Sequence, residues 1–228
     1  MARAGPDLLS ESDAVRLLEI AAYNDRGPFI ARLLEFAPAL KVKRPPSSAL
    51  VFALEYGNAH LIRLLTRIWP LPDDLPHAAG VGDFARVRGW FDEAGSPRLG
   101  SLSQHHPTNN PSALQNLHWT PPNAQQVLDV AFAWACMNRH FDIASFLLER
   151  GANINTDWGT HEPSSILHQC AWLGNYKAAQ FLIDHGIDMT IRDYRWNATA
   201  EGWAEWYKDK DMAEYLARAE RARKARSL

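Results

Sequence analysis

Nine histidines and two cysteines are the side chains in this 228-residue sequence best suited to chemistry near neutral pH. His105-His106 and His118-Trp119 lie in a stretch rich in proline and polar residues. A catalytic base needs a positioned nucleophile and an orienting third group, and adjacent histidines supply neither. An enzyme or metal-dependent activity built on His105, His106 and His118 is therefore the alternative reading. His168-Gln169-Cys170, with His140 and Cys136 upstream, contains metal-ligating types but lacks the paired-ligand rhythm of zinc sites. His161-Glu162 opens like H-E-x-x-H, but Ser165 stands where the second histidine belongs. Phosphate-binding, dinucleotide-binding and serine-hydrolase glycine motifs do not occur. Asp73-Asp74 and Asp92-Glu93 fall at helix ends, where capping explains them. The expectation is no catalytic residue, no metal and no cofactor.

Composition narrows the class further. The net charge of −2 gives no general pull toward nucleic acid or anionic membrane. A hydrophobic fraction of 46% supports a real core. The longest apolar run, Val130 to Met137, is eight residues, too short to span a bilayer. The N-terminus lacks the apolar segment of a secretory signal. Two cysteines make no disulfide framework, so a reducing, cytoplasmic setting is expected. The basic stretch Arg218 to Arg226 is read as a solvated last helix turn, where cations suit the helix dipole.

Positioning any of these side chains falls to an internal repeat. Cys136 to Gly151 superposes without a gap on Ala171 to Gly186, at an offset of 35 residues. Phe146-Leu147-Leu148 falls on Phe181-Leu182-Ile183, and Tyr215-Leu216-Ala217 forms a third copy. Each copy reads as two short helices. The first runs Ile166 to Leu173 and the second Tyr176 to Asp184, broken at Gly174-Asn175 and stopped by Gly186. The residues after Gly186 alternate in polarity, as a short turn or hairpin arm does.

Ser165-Ile166-Leu167-His168, Ala171, Gly174, Phe181-Leu182-Ile183, Gly186 and Asp188 resemble the ankyrin repeat. That repeat opens T-P-L-H-x-A-A, breaks at Gly-His, and ends L-L-x-x-G-A-D-V-N. Gly151-Ala152-Asn153-Ile154-Asn155 is similar to its ending. Ser165, Ile166 and Cys170 depart from the opening motif, and 160–164 reads as an insertion. The resemblance implies that His168 hydrogen-bonds neighbouring backbone and ties repeats together. Cys136 and Cys170 fall at its small-residue pair, where each acts as a small buried hydrophobe.

Degenerate copies at 17–34, 49–65 and 75–91 bring the count to six units: about 13–43, 47–72, 73–95, 124–162, 163–197 and 198–222. Only 25 residues separate Gly57 from Gly82, so the hairpin between those units is nearly deleted. The segment 96–122 reads as a long loop. The expected fold is all-α, one curved ankyrin-repeat solenoid with short β-hairpin or loop connections. The tetratricopeptide repeat has a similar period but longer helices, and lacks the Gly-Ala-Asn-Ile-Asn arm.

By that resemblance, the two residues before each break face the concave side. Here they include Tyr23, Tyr56, Met137, Asn138, Trp172, Leu173, Trp206 and Tyr207. Hairpin tips add Trp158, Tyr194, Arg195 and Trp196. Trp134 and Trp203 take positions normally filled by a core residue and are assigned to packing. Aromatic residues and Met are the types enriched at interface centres. The expected function is a non-catalytic scaffold, adaptor or inhibitor binding a protein or peptide. The chain itself is expected to be monomeric, with no membrane or nucleic-acid partner.

Overall fold

In the computed structural model, the described residues are 10–24, 26–38, 47–105, 123–157 and 164–226. They form six helical hairpins. The N-terminal pairs are α1 Glu11–Tyr23 with α2 Gly27–Phe36, and α3 Ser47–Glu55 with α4 Ala59–Ile68. Next come α5 Leu75–Val81 with α6 Phe84–Gly89, and α7 Ala124–Met137 with α8 Phe141–Leu148. The last are α9 Ile166–Leu173 with α10 Tyr176–Asp184, and α11 Ala200–Trp206 with α12 Lys210–Arg226. The architecture is an all-α repeat solenoid. Among the described residues there is no strand, only an isolated antiparallel bridge from Phe91 to Pro97. The expected hairpin arms are therefore turns.

Each pair from the second onward breaks in the same way. A residue with positive φ turns the chain, at Gly57, Gly82, Arg139, Gly174 and Lys208. The next residue caps the second helix. Asn58, Asp83, Asn175 and Asp209 each accept a backbone N–H three residues on. His140 instead donates its ring N–H to the Gly80 carbonyl of the preceding unit. Asn175 repeats that tie one unit later, its amide donating to the Met137 carbonyl at 3.0 Å.

His168 ties the last two units. Ser165 Oγ donates to its Nδ1 at 2.8 Å, and its Nε2–H donates to the Ala198 carbonyl at 3.0 Å. Burial lowers its pKa, against the opposing pull of the Ala198 carbonyl and Asp193, so the ring is neutral. Trp134, Cys136, Cys170, Leu147 and Leu182 are buried in the core between the helix layers. Both cysteines are free thiols whose pKa burial pushes up.

The first two hairpins do not extend this row. Stacked helices stand about 8–10 Å apart, so in a straight row units two and five would lie on the order of 25 Å apart. Yet the Tyr56 ring, at the end of α3, meets the Trp172 ring of α9 edge-on at 5.4 Å. Asn138 Nδ2 donates to the Leu54 carbonyl at 2.8 Å. A Cβ on Gly80 would lie 2.8 Å from Leu54 Cδ2, and one on Gly57 would collide with the Met137 carbonyl. Thus α3 lies across the inner side of the row formed by α5, α7 and α9.

The start of the expected loop is also built in. Arg98 N–H donates to the Trp90 carbonyl at 2.7 Å, and Leu99 and His105 are buried. The third unit therefore extends to the 3₁₀ turn Leu102–His105.

Candidate functional site

His105 does structural work. It is fully buried against the Trp90 ring. Its Nδ1 accepts the Leu75 N–H at 3.1 Å and its Nε2–H donates to the Leu99 carbonyl at 2.6 Å. Both ring nitrogens are thus engaged with backbone groups, which ties the turn to α5. His106 and His118 lie outside the described residues, as does Trp158. No group of three or more His, Cys, Asp or Glu able to hold a metal occurs among the described residues.

The repeat position two residues before the break organises the inner face. It carries Gly80, Met137, Trp172 and Trp206 in successive units. Its side chains point toward the next unit. Gly80 faces Trp134, Met137 Sδ lies 3.9 Å from Cys170 Sγ, and Trp172 stacks on Tyr207 at 5.8 Å. Exposure rises along the series, from 1% at Met137, through half-buried Trp172, to 82% at Trp206.

Three expected contact residues are thereby reassigned. Met137 is buried because α3 covers it and Cys170 packs under it. Asn138 spends its amide on the Leu54 and Trp134 carbonyls, joining α3 to α7. Tyr56 is half-buried on Trp172, which is itself held between two rings. The Tyr23 side chain lies outside the described residues.

The other expected residues gather at the C-terminal end. Leu173, Tyr194, Arg195, Trp196, Trp206 and Tyr207 are all exposed, Tyr194 to 84% and Trp196 to 58%. The turn before α11 holds the tip in place through Asp193. Its carboxylate accepts N–H groups of Arg195, Trp196 and Ala198 at 2.7–3.0 Å and the Trp203 indole at 3.2 Å. Burial would raise the Asp193 pKa, but these donors and nearby His168 outweigh it, and the net shift is downward. Asp193 is the residue that sequence reasoning missed; its i, i+2 and i+3 spacing to the tip was the available signal.

Trp203 was expected only to pack. It does pack on His168, but it also walls an open pocket of about 240 Å³ with Trp196, Ala198, Gly202, Trp206 and Tyr207. The ring planes of Trp196 and Trp203 stand at 74°. The lining is almost wholly apolar, so the pocket offers shape and ring faces rather than acid–base chemistry.

No curated protein matches this chain. A family model described as ankyrin repeats (3 copies) matches residues 105–193, the stretch containing α7 to α10. With the recurring left-handed break, the cap that follows it and the His168 tie between units, this stretch of the chain consists of ankyrin repeats.

Proposed function

We propose that this chain is a non-catalytic protein-interaction module, acting as a scaffold, adaptor or inhibitor. It engages its partner with the C-terminal end of the inner face: Leu173, Trp206 and Tyr207, with Tyr194, Arg195 and Trp196 at the rim. Ankyrin repeats are generally protein–protein interaction modules. One observation carries the choice of surface: a repeat position buried at Met137 is 82% exposed at Trp206 and filled by an indole. An exposed aromatic cluster otherwise costs solubility, and Trp and Tyr dominate interface centres. The inner face farther in is covered by α3. The described helices include none long and apolar enough to cross a membrane. Two buried free thiols fit a reducing compartment, and we place the protein in the cytoplasm on that ground. The organisation of the chain as one solenoid belongs to the same reading.

Affinity capture from the source cells tests it, using the wild type and a Trp196→Ala, Trp206→Ala double variant. The double variant should keep its helical circular dichroism and lose the captured protein. Equal recovery by both would move the binding surface elsewhere.

A further inference from the structure

The exposed end of the row has a definite register. Position by position, Gly202 and Trp206 of α11 correspond to His168 and Trp172 of α9. In α9 those two residues are covered by the next unit, through the His168–Ala198 bond and the Trp172–Tyr207 stack. In α11 they line the open pocket. Among the described residues no further unit follows in that register. Glu220 corresponds to the stop residue Gly186, yet α12 runs on to Arg226. Arg223 pins that extension back onto the fifth unit, donating to the Ile187 carbonyl at 2.9 Å and pairing with Asp188.

Size and chemistry limit what covers this end. At about 240 Å³ the pocket is smaller than those that enclose whole small molecules, roughly 300–1,000 Å³. It suits one inserted side chain. Beside it stands Tyr194, two residues from the pocket wall Trp196 and the most exposed large hydrophobic among the described residues. Hole and knob thus share one surface, the requirement for an interface that pairs with itself about a two-fold axis. Tyr194, Trp196, Trp206 and Tyr207 leave on the order of 500 Å² of ring surface in water, taking about 200 Å² per side chain. With a polar rim this approaches the roughly 800 Å² per partner of a standard interface. Arg195 at the tip and Glu205 on α11 give that rim both signs, so a two-fold rotation can set unlike charges together.

We propose that a second copy of this chain covers the end of the row, with Tyr194 of each copy seated in the aromatic pocket of the other. This rests on the exposed aromatic end being an interface, and names its occupant.

Sedimentation equilibrium of the full chain tests it. The wild type should be dimeric at micromolar concentration. Tyr194→Ala removes the knob and Gly202→Leu fills the hole; each should weaken the dimer on the order of a hundredfold or more. Tyr194→Phe should retain it. Tyr194 is at the surface and Gly202 has room for a Cβ, so both variants should keep the wild-type melting temperature. An equimolar mixture of the two weakened variants keeps one intact knob and hole, and should associate more tightly than either alone. A wild type that stays monomeric at about 100 µM, or a Tyr194→Ala protein that stays dimeric, overturns the proposal. A photo-crosslinker at position 194, used in the source cells, separates this failure from that of the broader reading. A product of twice the chain mass supports the second copy. A product with another protein overturns the second copy but leaves the interaction module standing. No product removes both.

Discussion

Trp172 and Trp206 occupy the same position in successive repeats, yet their truncation should have opposite consequences. Trp172 is half-buried between the rings of Tyr56 and Tyr207, at 5.4 and 5.8 Å. Each such ring pair contributes about 0.5–1.5 kcal/mol beyond area burial. A fully buried Trp→Ala change costs about 3–5 kcal/mol. Half-burial keeps about half of that and two ring pairs add about 1–3 kcal/mol, which sets Trp172→Ala at about 2.5–5.5 kcal/mol of lost stability. Trp206 is 82% exposed, so Trp206→Ala should stay within about 0.5 kcal/mol of wild type. Urea unfolding followed by far-ultraviolet circular dichroism measures both, since fluorescence would change with the deleted indole. A double-mutant cycle sharpens the test. Tyr56→Ala and Trp172→Ala should couple by about 1 kcal/mol, because the rings touch. A straight six-unit row would leave those residues far apart and uncoupled. Equal losses at positions 172 and 206, or zero coupling between 56 and 172, would refute the placement of α3 on the inner face.

Three further outcomes follow from the same contacts. Lys208 holds φ +63 where three other units use glycine, so Lys208→Gly should gain about 0.5–1 kcal/mol, read as a higher melting temperature. Gly57→Ala places a Cβ against the Met137 carbonyl at φ +64; it should lift α3 from the row and speed hydrogen exchange across α1–α4 while α9–α12 stay protected. Acid should loosen the last two units in two stages, followed by unfolding free energy from pH 8 to pH 2. His168 has a folded pKa below its ordinary 6.5, so its stabilisation is complete above about pH 6.5 and falls as pH drops through the folded value. Asp193 has a folded pKa below its ordinary 3.8, so its contribution holds above about pH 3.8 and is lost at still lower pH. His168→Gln should remove the first stage and Asp193→Asn the second.

The helices were legible because local chemistry sets them. The bounds of α9 and α10 agree with those read from the sequence, since Gly174 and Asn175 must turn and cap wherever the chain goes. Arg139 and Lys208 take the left-handed turn without glycine, so residue type did not mark the break at those two positions. The first segment of the expected loop was less legible. Its anchors are the Arg98 bond to Trp90 and the His105 bond to Leu75, 30 residues back, and they leave no period.

The placement of α3 is a different kind of miss, and two residues carried its signal. Gly80 stands where the other units of the row place Met137, Trp172 and Trp206. A missing side chain on the inner face means another chain approaches there, and Leu54 does so. The 25-residue spacing from Gly57 to Gly82 leaves no arm with which to stack the second unit squarely on the third. The third unit therefore begins the regular row, while the first two hairpins are free to fold across it. Their cover ends at Trp172, where Tyr56 supplies the last ring. Beyond that point the aromatic stripe read from the sequence separates into two parts with different physical roles. Met137, Asn138 and Tyr56 hold the chain to itself, whereas Leu173, Trp206, Tyr207 and the 194–196 tip meet water. Side-chain type is nearly the same in both parts. What divides them is whether α3 or a following unit lies on top, a fact set by the whole row.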